Sequence, residues 1–469
     1  MINKIINFFK GWWNKMFDYK KIATDFGLDM QTSTQILDAI QEWAKIYNKG
    51  EPWINDETAS LHVAKTVSEK VAASTVNEFK SLCSDENINN IYQKVLKNIQ
   101  KDTESLVGKA LLFFKPYYDG KTIGVNVIQA DKFIPVKFDN SGNLLACITI
   151  DQITEQDKVY TRLEYEELID NKITIRNIAY EGKTNGSILD KKINLSSVSK
   201  WKNIDEISGI EGVDKLLGGF ITMPNVNSID NDSPIGTPIW FNSIETLKEI
   251  DKQYSRTLWE YEGTELAIDV DESIIRTDKK GNPQYPKGKK RLFRLLSFDE
   301  TKEKNYNIYN PEIRHTALFT GLNELLRIAE EQCHLEHGTL CKAEISPKTA
   351  EEIKQMKQTY YTTIKNIQIA LKNGLEDLIY GIYVLCRLYG ISVDTNYSME
   401  FDFDDSILVD KDNARKQSML ELNNGIISQV QYIMETRNMK EKDAIEFVKK
   451  QQKYNSLIEP QKEKEPDEE

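Results

Sequence analysis

The sequence predicts an α+β protein, and the alternation of two kinds of segment indicates this class. Residues 30–105, and most of the chain from residue 237 onward, repeat apolar side chains at intervals of three and four, which is typical of amphipathic helices. Residues 108–200 instead contain short β-branched and aromatic runs, separated by turn sequences such as Asp119-Gly120 and Asp170-Asn171. Helical and strand-rich stretches therefore follow one another in blocks.

Composition narrows the possible functions. The chain has 469 residues, of which 40% are hydrophobic and 29% charged, enough for two or more domains. A net charge of −12 argues against general nucleic-acid binding, so any contact with DNA should be local. The five scattered cysteines favour a reducing compartment without structural disulfides. No apolar run approaches the ~20 residues that a transmembrane helix needs.

The N-terminal segment, residues 2–17, alternates aromatic and aliphatic residues with lysines. Such a segment could lie on a membrane surface, or it could pack on the protein's own body or on a neighbouring subunit. We favour packing on protein, because one short amphipathic segment is weak evidence for a membrane. Charges interrupt the apolar stretch and a small-residue cleavage site is lacking, which excludes a signal peptide.

Three helices are predicted at residues 32–49, 58–79 and 87–106. The strand-like runs that follow, at residues 111–114, 123–128, 144–150, 160–165, 173–178 and 193–195, predict an antiparallel meander or a small sandwich.

A long helix is predicted for residues 237–262, opened by the cap and proline of Gly236-Thr237-Pro238 and ended by Gly263. Its length would be about 37 Å for about 25 residues. One apolar stripe runs along it and is broken at Asp251; its members are Trp240, Ile244, Leu247, Tyr254, Leu258 and Tyr261.

A basic segment follows this helix. Residues 266–270 and 291–296 are strand-like, and turn sequences between them predict a hairpin. From residue 276 to residue 294 the only acid is Asp278, against eight basic residues: Arg276, Lys279, Lys280, Lys287, Lys289, Lys290, Arg291 and Arg294. This hairpin could bind phosphate, or its lysines could simply keep an edge strand soluble, and the local sequence alone favours solubility.

A second helix is predicted at residues 311–333, and a third begins at Ser346-Pro347 and runs to about residue 380 or beyond. Two long helices flanking a small module without a core of its own indicate a part that needs neighbours to bury its apolar stripe. A strand at 398–403 and helices at 411–422, 426–435 and 440–452 complete the pattern, and the charged residues 460–469 are predicted to be disordered.

Two clusters could carry chemistry. Cys333, His334, His337 and Cys341 include zinc-ligand types, but His334 would point away from the others on a helix and no second ligand pair follows at a longer spacing. We therefore predict a helix end with half-buried cysteines and no metal. An acidic group, Asp402, Asp404, Asp405, Asp410 and Asp412, could hold magnesium, but its last two members look like the acidic start of a helix.

Motifs of common enzymes are missing from the sequence. It contains neither a phosphate-binding GxxxxGK[ST] loop nor a G-x-S-x-G nucleophile turn. We therefore predict no ATP hydrolysis, no enzyme activity and no cofactor.

Several segments, in this order and spacing, resemble the portal proteins of tailed bacteriophages, in the branch common to phages of Gram-positive hosts. They are residues 114–120 (FKPYYDG), 130–135 (ADKFIP), 218–224 (GGFITMP), 227–236 (NSIDNDSPIG), the helix 239–262 with Asp251 and Tyr254, and 337–339 (HGT) followed by 348–353 (KTAEEI). The resemblance spans roughly residues 20–450, and the order of the segments matters more than any single one.

The resemblance implies a dodecameric ring at one capsid vertex, through which double-stranded DNA is packaged and later released. It implies a wing (1–236), two stem helices (237–262 and 311–333), a clip (263–310), a channel loop (334–348), a long wing helix with a return strand (349–404), a crown (405–459) and a tail (460–469). The implied partners are the terminase large subunit, a head–tail adaptor and the major capsid and scaffold proteins, with no membrane. The implied location is the virion, and the host cytoplasm during assembly.

The resemblance also implies roles for residues. The stripe of Trp240, Ile244, Leu247, Tyr254 and Leu258 would join subunits. The clip residues Lys287, Lys289, Lys290, Arg291 and Arg294 would dock the motor or the adaptor. The channel-loop residues His334, His337 and Thr339 would face the DNA.

Two alternatives stay open. One is a magnesium-dependent DNA-processing phage enzyme that uses Asp402 and Asp404, which the acidic surroundings disfavour. The other is a monomeric adaptor, which would have to hide Trp240, Leu247 and Leu258 within its own fold.

Overall fold

A computed structural model describes residues 18–183, 187–271, 276, 279–280, 284, 292–296, 306–342, 350–403, 411–437, 439 and 441–458. Both helices and antiparallel sheets are present, which confirms the predicted α+β class. The chain divides into two compact units, Met1–Phe403 and Asp404–Glu469. The N-terminal segment and the tail at 460–469 lie outside the described residues.

The helices of the described residues are α1 Tyr19–Phe26, α2 Thr34–Tyr47, α3 Val63–Thr75, α4 Glu86–Leu96, α5 Ile99–Lys109, α6 Ile244–Gly263, α7 His315–Gln332, α8 Ala350–Leu388, α9 Lys411–Asn423, α10 Gln429–Arg437 and α11 Glu441–Ile458. The Ser33 hydroxyl accepts a hydrogen bond from the Ile36 N–H and begins α2, as the sequence predicts. The single helix predicted at 87–106 is instead two helices, α4 and α5.

The strands are β1 Lys80–Cys83, β2 Leu111–Tyr118, β3 Ile123–Gln129, β4 Phe133–Phe138, β5 Leu144–Glu155, β6 Lys158–Ile169, β7 Lys172–Lys183, β8 Lys191–Ile193, β9 Ile207–Glu211, β10 Gly219–Thr222, β11 Ala267–Asp271, β12 Phe293–Leu296, β13 Tyr306–Tyr309 and β14 Met399–Asp402. The predicted meander is confirmed for its last four runs, because β4 to β8 lie side by side in chain order and β9 also pairs with β7. It is wrong for the first two runs, since β2 and β3 belong to a separate sheet with β10. Asp170 and Asn171 have positive φ angles at the β6–β7 turn, which such residues tolerate.

The large sheet packs on α1. Ile22 and Phe26 of α1 are buried against Tyr165 and Tyr180 of the sheet. The rings of Phe26 and Tyr165 lie 5.6 Å apart between centroids. This contact gives the strand-rich part of the chain its own core.

A second sheet, in the order β10-β2-β3, lies against the long helix α8. The approach is so close that a Cβ atom on Gly219 would lie 2.1 Å from the carbonyl oxygen of Gly374. The predicted long helix is confirmed, with 39 residues and one fully buried face that includes Ile364, Leu371 and Leu378. Strand β14, which follows α8, pairs antiparallel with β1 at the end of the first unit.

The helices α6 and α7 pack antiparallel. Thr246 Oγ1 lies 2.8 Å from Gln332 Oε1 at one end, and Gln253 Nε2 lies 3.3 Å from the Leu318 carbonyl oxygen near the other. Helix α6 begins at Ile244, seven residues later than predicted, because residues 241–243 form a 3-10 turn.

Between α6 and α7 lies a three-stranded sheet in the order β12-β11-β13. Strands β11 and β12 pair in parallel, so the predicted basic hairpin is wrong. Parallel neighbours need a crossover rather than a tight turn, and the antiparallel partner of β11 is β13.

The second unit contains α9, α10 and α11. Their bounds confirm the three predicted helices to within a few residues at most ends, although α11 continues to Ile458.

Candidate functional site

The predicted oligomerisation residues are divided between the chain's own core and its surface. Trp240 is fully buried, Ile244 and Leu247 are almost so, Tyr254 is half-buried, and Leu258 is 41% exposed. The idea that this stripe needs a second copy for its burial is therefore wrong for its first three members. Their role in assembly stays a prediction, and so does that of the other two.

The same burial bears on the monomeric-adaptor alternative. That alternative requires the chain to hide three apolar residues, and it hides Trp240 and Leu247 but not Leu258. The exposed part of the stripe thus lies on the last turns of α6, just before the chain enters β11 of the three-stranded sheet.

Large apolar side chains remain exposed around this point. Trp259 is 67% exposed, which is unusual for the largest apolar side chain. We call the exposed set the apolar band; it consists of Leu258, Trp259, Tyr261, Leu266, Tyr306, Ile308, Ile313 and Phe319. These residues come from the end of α6, the segment before β11, the edge strand β13 and the start of α7. Large apolar side chains left exposed are enriched at interaction surfaces.

An ion pair fixes the end of α6 to the start of α7. Arg314 donates from Nη2 to Glu260 Oε2 at 2.7 Å and from Nε to Oε1 at 3.0 Å. This two-pronged contact lowers the pKa of Glu260 below its usual range. The pair joins two of the segments that carry the apolar band, the end of α6 and the start of α7.

Of the predicted docking residues in the basic segment, Arg294 is described. It donates to Asp269 Oδ1 at 2.7 Å, and its guanidinium carbon lies 4.5 Å from the centroid of the Tyr309 ring. Arg294 thus holds neighbouring strands together, although about half of its side chain is exposed. The other four, Lys287, Lys289, Lys290 and Arg291, lie outside the described residues.

Asp251, which interrupts the apolar stripe, holds the segment before α3 against α6. Its carboxylate accepts from Trp53 Nε1 at 2.8 Å, from the Leu61 N–H at 2.8 Å and from the Ser60 hydroxyl at 3.1 Å. Burial raises the pKa of Asp251 and the charge of Glu51 adds to this, while the hydrogen bonds oppose it. The sequence signal was a carboxylate within an apolar stripe, but it did not reveal the partners.

The four residues of the predicted Cys/His cluster at the end of α7 do not all lie together in the structure. Cys333 is buried, with its Sγ 3.3 Å from the Ser243 hydroxyl, and His334 is exposed at a positive φ of 55°. His337 and Cys341 lie together, with Sγ and Nδ1 3.6 Å apart. Thr339, the third predicted channel-loop residue, bonds the Glu336 carbonyl oxygen within the same turn.

Glu330 organises this turn, and sequence reasoning missed it. Its carboxylate accepts hydrogen bonds from the N–H groups of Gly338, Leu340 and Cys341 and from the Cys341 thiol. Burial alone would raise the pKa of Glu330, but these donors together hold it below the usual range. Burial and the adjacent Glu330 also raise the pKa of the Cys341 thiol to about 11.

Within the described residues, one group of three potential metal ligands lies close together, Glu330, His337 and Cys341. Asp402, from the acidic cluster, is exposed on β14 opposite Lys80 of β1. Asp404, Asp405 and Asp410 lie outside the described residues, so the magnesium alternative is not tested.

Comparison with known proteins gives a weak likeness in fold. No family model matches the chain, and no curated protein matches it. Among solved structures, the chain is similar to one in the neck of a native GTA particle computed with C12 symmetry, with a TM-score of 0.43, 9% identity, and coverage of 88% of this chain and 97% of that one. A chain in the neck of an empty GTA particle computed with C6 symmetry has a TM-score of 0.42, the same identity and the same coverage. At these values the likeness carries no argument about function.

None of the helices in the described part of the chain is both long and apolar enough to span a lipid bilayer.

Proposed function

We propose that this chain is a subunit of a portal ring, located at one capsid vertex of a tailed phage or phage-like particle. The observation that carries the proposal is the apolar band, which a single chain leaves in water and a neighbouring copy could cover. The order of elements supports it as well. A helix, a small sheet, an antiparallel helix, a turn and a 39-residue helix follow one another in the order that the portal resemblance implies.

In this proposal α6 and α7 form the stem of the ring and β11 to β13 form the clip. The half-buried Tyr254 and the exposed Leu258 contact the next subunit, while Trp240, Ile244 and Leu247 support the helix from inside the chain. The ring is dodecameric, and double-stranded DNA passes through its centre.

The subunit supplies geometry and charge and no covalent step. With a net charge of −12, a channel wall built from this chain would not hold phosphates tightly, so DNA could slide. The cations of the basic segment, Lys287, Lys289, Lys290 and Arg291, would then dock the terminase large subunit or the head–tail adaptor. Arg294 is less available for that role because it pairs with Asp269. The major capsid and scaffold proteins would contact the ring within the virion.

Replacing Trp259 with serine tests the ring. Its side chain is 67% exposed, so the substitution should leave the fold intact while it weakens contacts between copies. We expect the wild type to form rings in negative-stain images and a large oligomer in light scattering. The variant should shift towards monomer at the same concentration.

Val226→Ser is the matched control, because Val226 is 80% exposed but lies outside the apolar band. It should assemble like the wild type. A wild type that stays monomeric at high concentration, with and without its capsid partners, would refute the proposal, as would a Trp259→Ser variant with unchanged assembly. Trp240→Asp would not discriminate, because Trp240 is buried and its replacement would disturb folding.

A further inference from the structure

We propose that Glu330, His337 and Cys341 form a binding site for one Zn²⁺ ion at the turn that follows α7. The three side chains come from the last turn of α7 and from the loop after it. Glu330 Oε2 lies 3.3 Å from His337 Nδ1 and 3.0 Å from Cys341 Sγ, and Sγ lies 3.6 Å from Nδ1. The three possible ligand atoms therefore form a small triangle.

The triangle has the size that zinc requires. Zinc binds sulfur at about 2.3 Å and nitrogen or carboxylate oxygen at about 2.0 Å in a tetrahedron, which places an N–O pair about 3.3 Å apart and an S–N pair about 3.5 Å apart. The observed N–O and S–N distances, 3.3 and 3.6 Å, match these edges. The S–O distance of 3.0 Å would lengthen by about half an ångström.

The surroundings also fit. The N–H groups of Leu340 and Cys341 donate to Glu330 Oε1, so they would hold the carboxylate in place while Oε2 binds the ion. His337 is half-buried beside a cleft that Arg327, Glu331 and Thr359 also line, which offers an entry path and room for a water as fourth ligand. The charge of Arg327 is offset by its ion pairs with Glu324 and Glu331.

The ligand set selects the kind of metal. A thiolate and an imidazole favour zinc and related ions over magnesium or calcium, which prefer oxygen ligands alone. On binding, the thiol of Cys341 loses its proton to solvent and the Zn–S bond forms, with no change in oxidation state. The site lies within one chain, so it does not depend on ring formation.

Cobalt is the probe for the experiment, because Co²⁺ bound to a thiolate gives a charge-transfer absorption in the near ultraviolet. The full-length protein, stripped with a chelator, is titrated with Co²⁺ and then with Zn²⁺. We expect this absorption to saturate at one Co²⁺ per chain and to disappear when Zn²⁺ displaces it. Absence of the band in the wild type would overturn the proposal and leave Glu330 as a purely structural acceptor.

Three variants assign the ligands. Cys341→Ser should lose the thiolate band, and His337→Gln should lose most of the affinity for Co²⁺. Cys333→Ser, the matched control from the same helix end, should keep both because Cys333 bonds Ser243 instead. If circular dichroism shows that Cys341→Ser does not fold, His337→Gln decides alone, since its half-buried side chain is easier to replace. Unchanged cobalt affinity in His337→Gln would contradict the assignment.

Discussion

Replacing Asp251 with alanine should destabilise the chain by removing one acceptor from three donors at once. The carboxylate receives the Trp53 indole N–H, the Leu61 N–H and the Ser60 hydroxyl. The indole contact is buried and the other two are partly buried. The change therefore leaves one fully buried donor and two partly buried ones without their partner.

The magnitude follows from these three contacts. A buried donor left without an acceptor costs about 1–3 kcal/mol, and the partly buried donors cost less because water can reach them. An opposing effect is that alanine removes an ionised carboxylate that is buried near Glu51. The cost of burying that charge is reflected in the raised pKa of Asp251. The expected net loss in the free energy of unfolding is about 2–3 kcal/mol.

The assay is urea unfolding followed by far-ultraviolet circular dichroism at one fixed protein concentration. Asp251→Asn keeps one acceptor oxygen and should lose about half as much. A double-mutant cycle with Trp53→Phe should give a coupling of about 1 kcal/mol, because both changes remove the same hydrogen bond. If Asp251→Ala stays within about 0.5 kcal/mol of the wild type, as a surface substitution would, the network does not hold this segment to α6.

Two further predictions concern pH and packing. Burial raises the pKa of Asp102 to about 6, although the charge of Lys101 opposes this rise. The stability that comes from protonating Asp102 in the folded chain is complete below the unfolded pKa of about 4 and is lost as the pH rises through about 6. Asp102→Asn should therefore flatten the dependence of the unfolding free energy on pH between those values and stabilise the chain by about 1–2 kcal/mol at pH 7, after allowance for solvent screening. An unchanged pH profile would refute this. Gly219→Ala should lower the melting temperature by several degrees because its Cβ would meet the Gly374 carbonyl oxygen. Gly321→Ala on α7, whose Cβ would meet Gln253 Nε2 at an ordinary contact distance of 3.7 Å, should leave the melting temperature unchanged or raise it.

Local patterns in the sequence were enough to predict many elements. The spacing of Tyr360, Ile364, Ile367 and Leu371 predicted α8, and those residues are buried along it. The turn at Asp170-Asn171 predicted the hairpin between β6 and β7. Both signals involve residues only a few positions apart. The helical repeat and the turn conformation can therefore be recognised without knowing any tertiary contact.

Pairing between distant segments was not predictable from such patterns. Strand β12 lies parallel to β11, and neither strand's own composition encodes this direction of pairing. In the same way, the half-buried Lys115 contacts both Glu164 and Glu166, and nothing near Lys115 in sequence indicates those partners. Glu330 also looked like an ordinary helix residue until the loop folded back onto it.

The sequence by itself determined that this chain is α+β, that a long helix lies on each side of a small strand-containing module, and that a very long helix follows. Only the tertiary structure decided which apolar residues of α6 are buried within the chain and which stay in water, because helical periodicity defines a face but not what covers it. It also decided which side chains after α7 meet, since the turn that joins Glu330 to His337 and Cys341 depends on contacts between residues up to eleven positions apart.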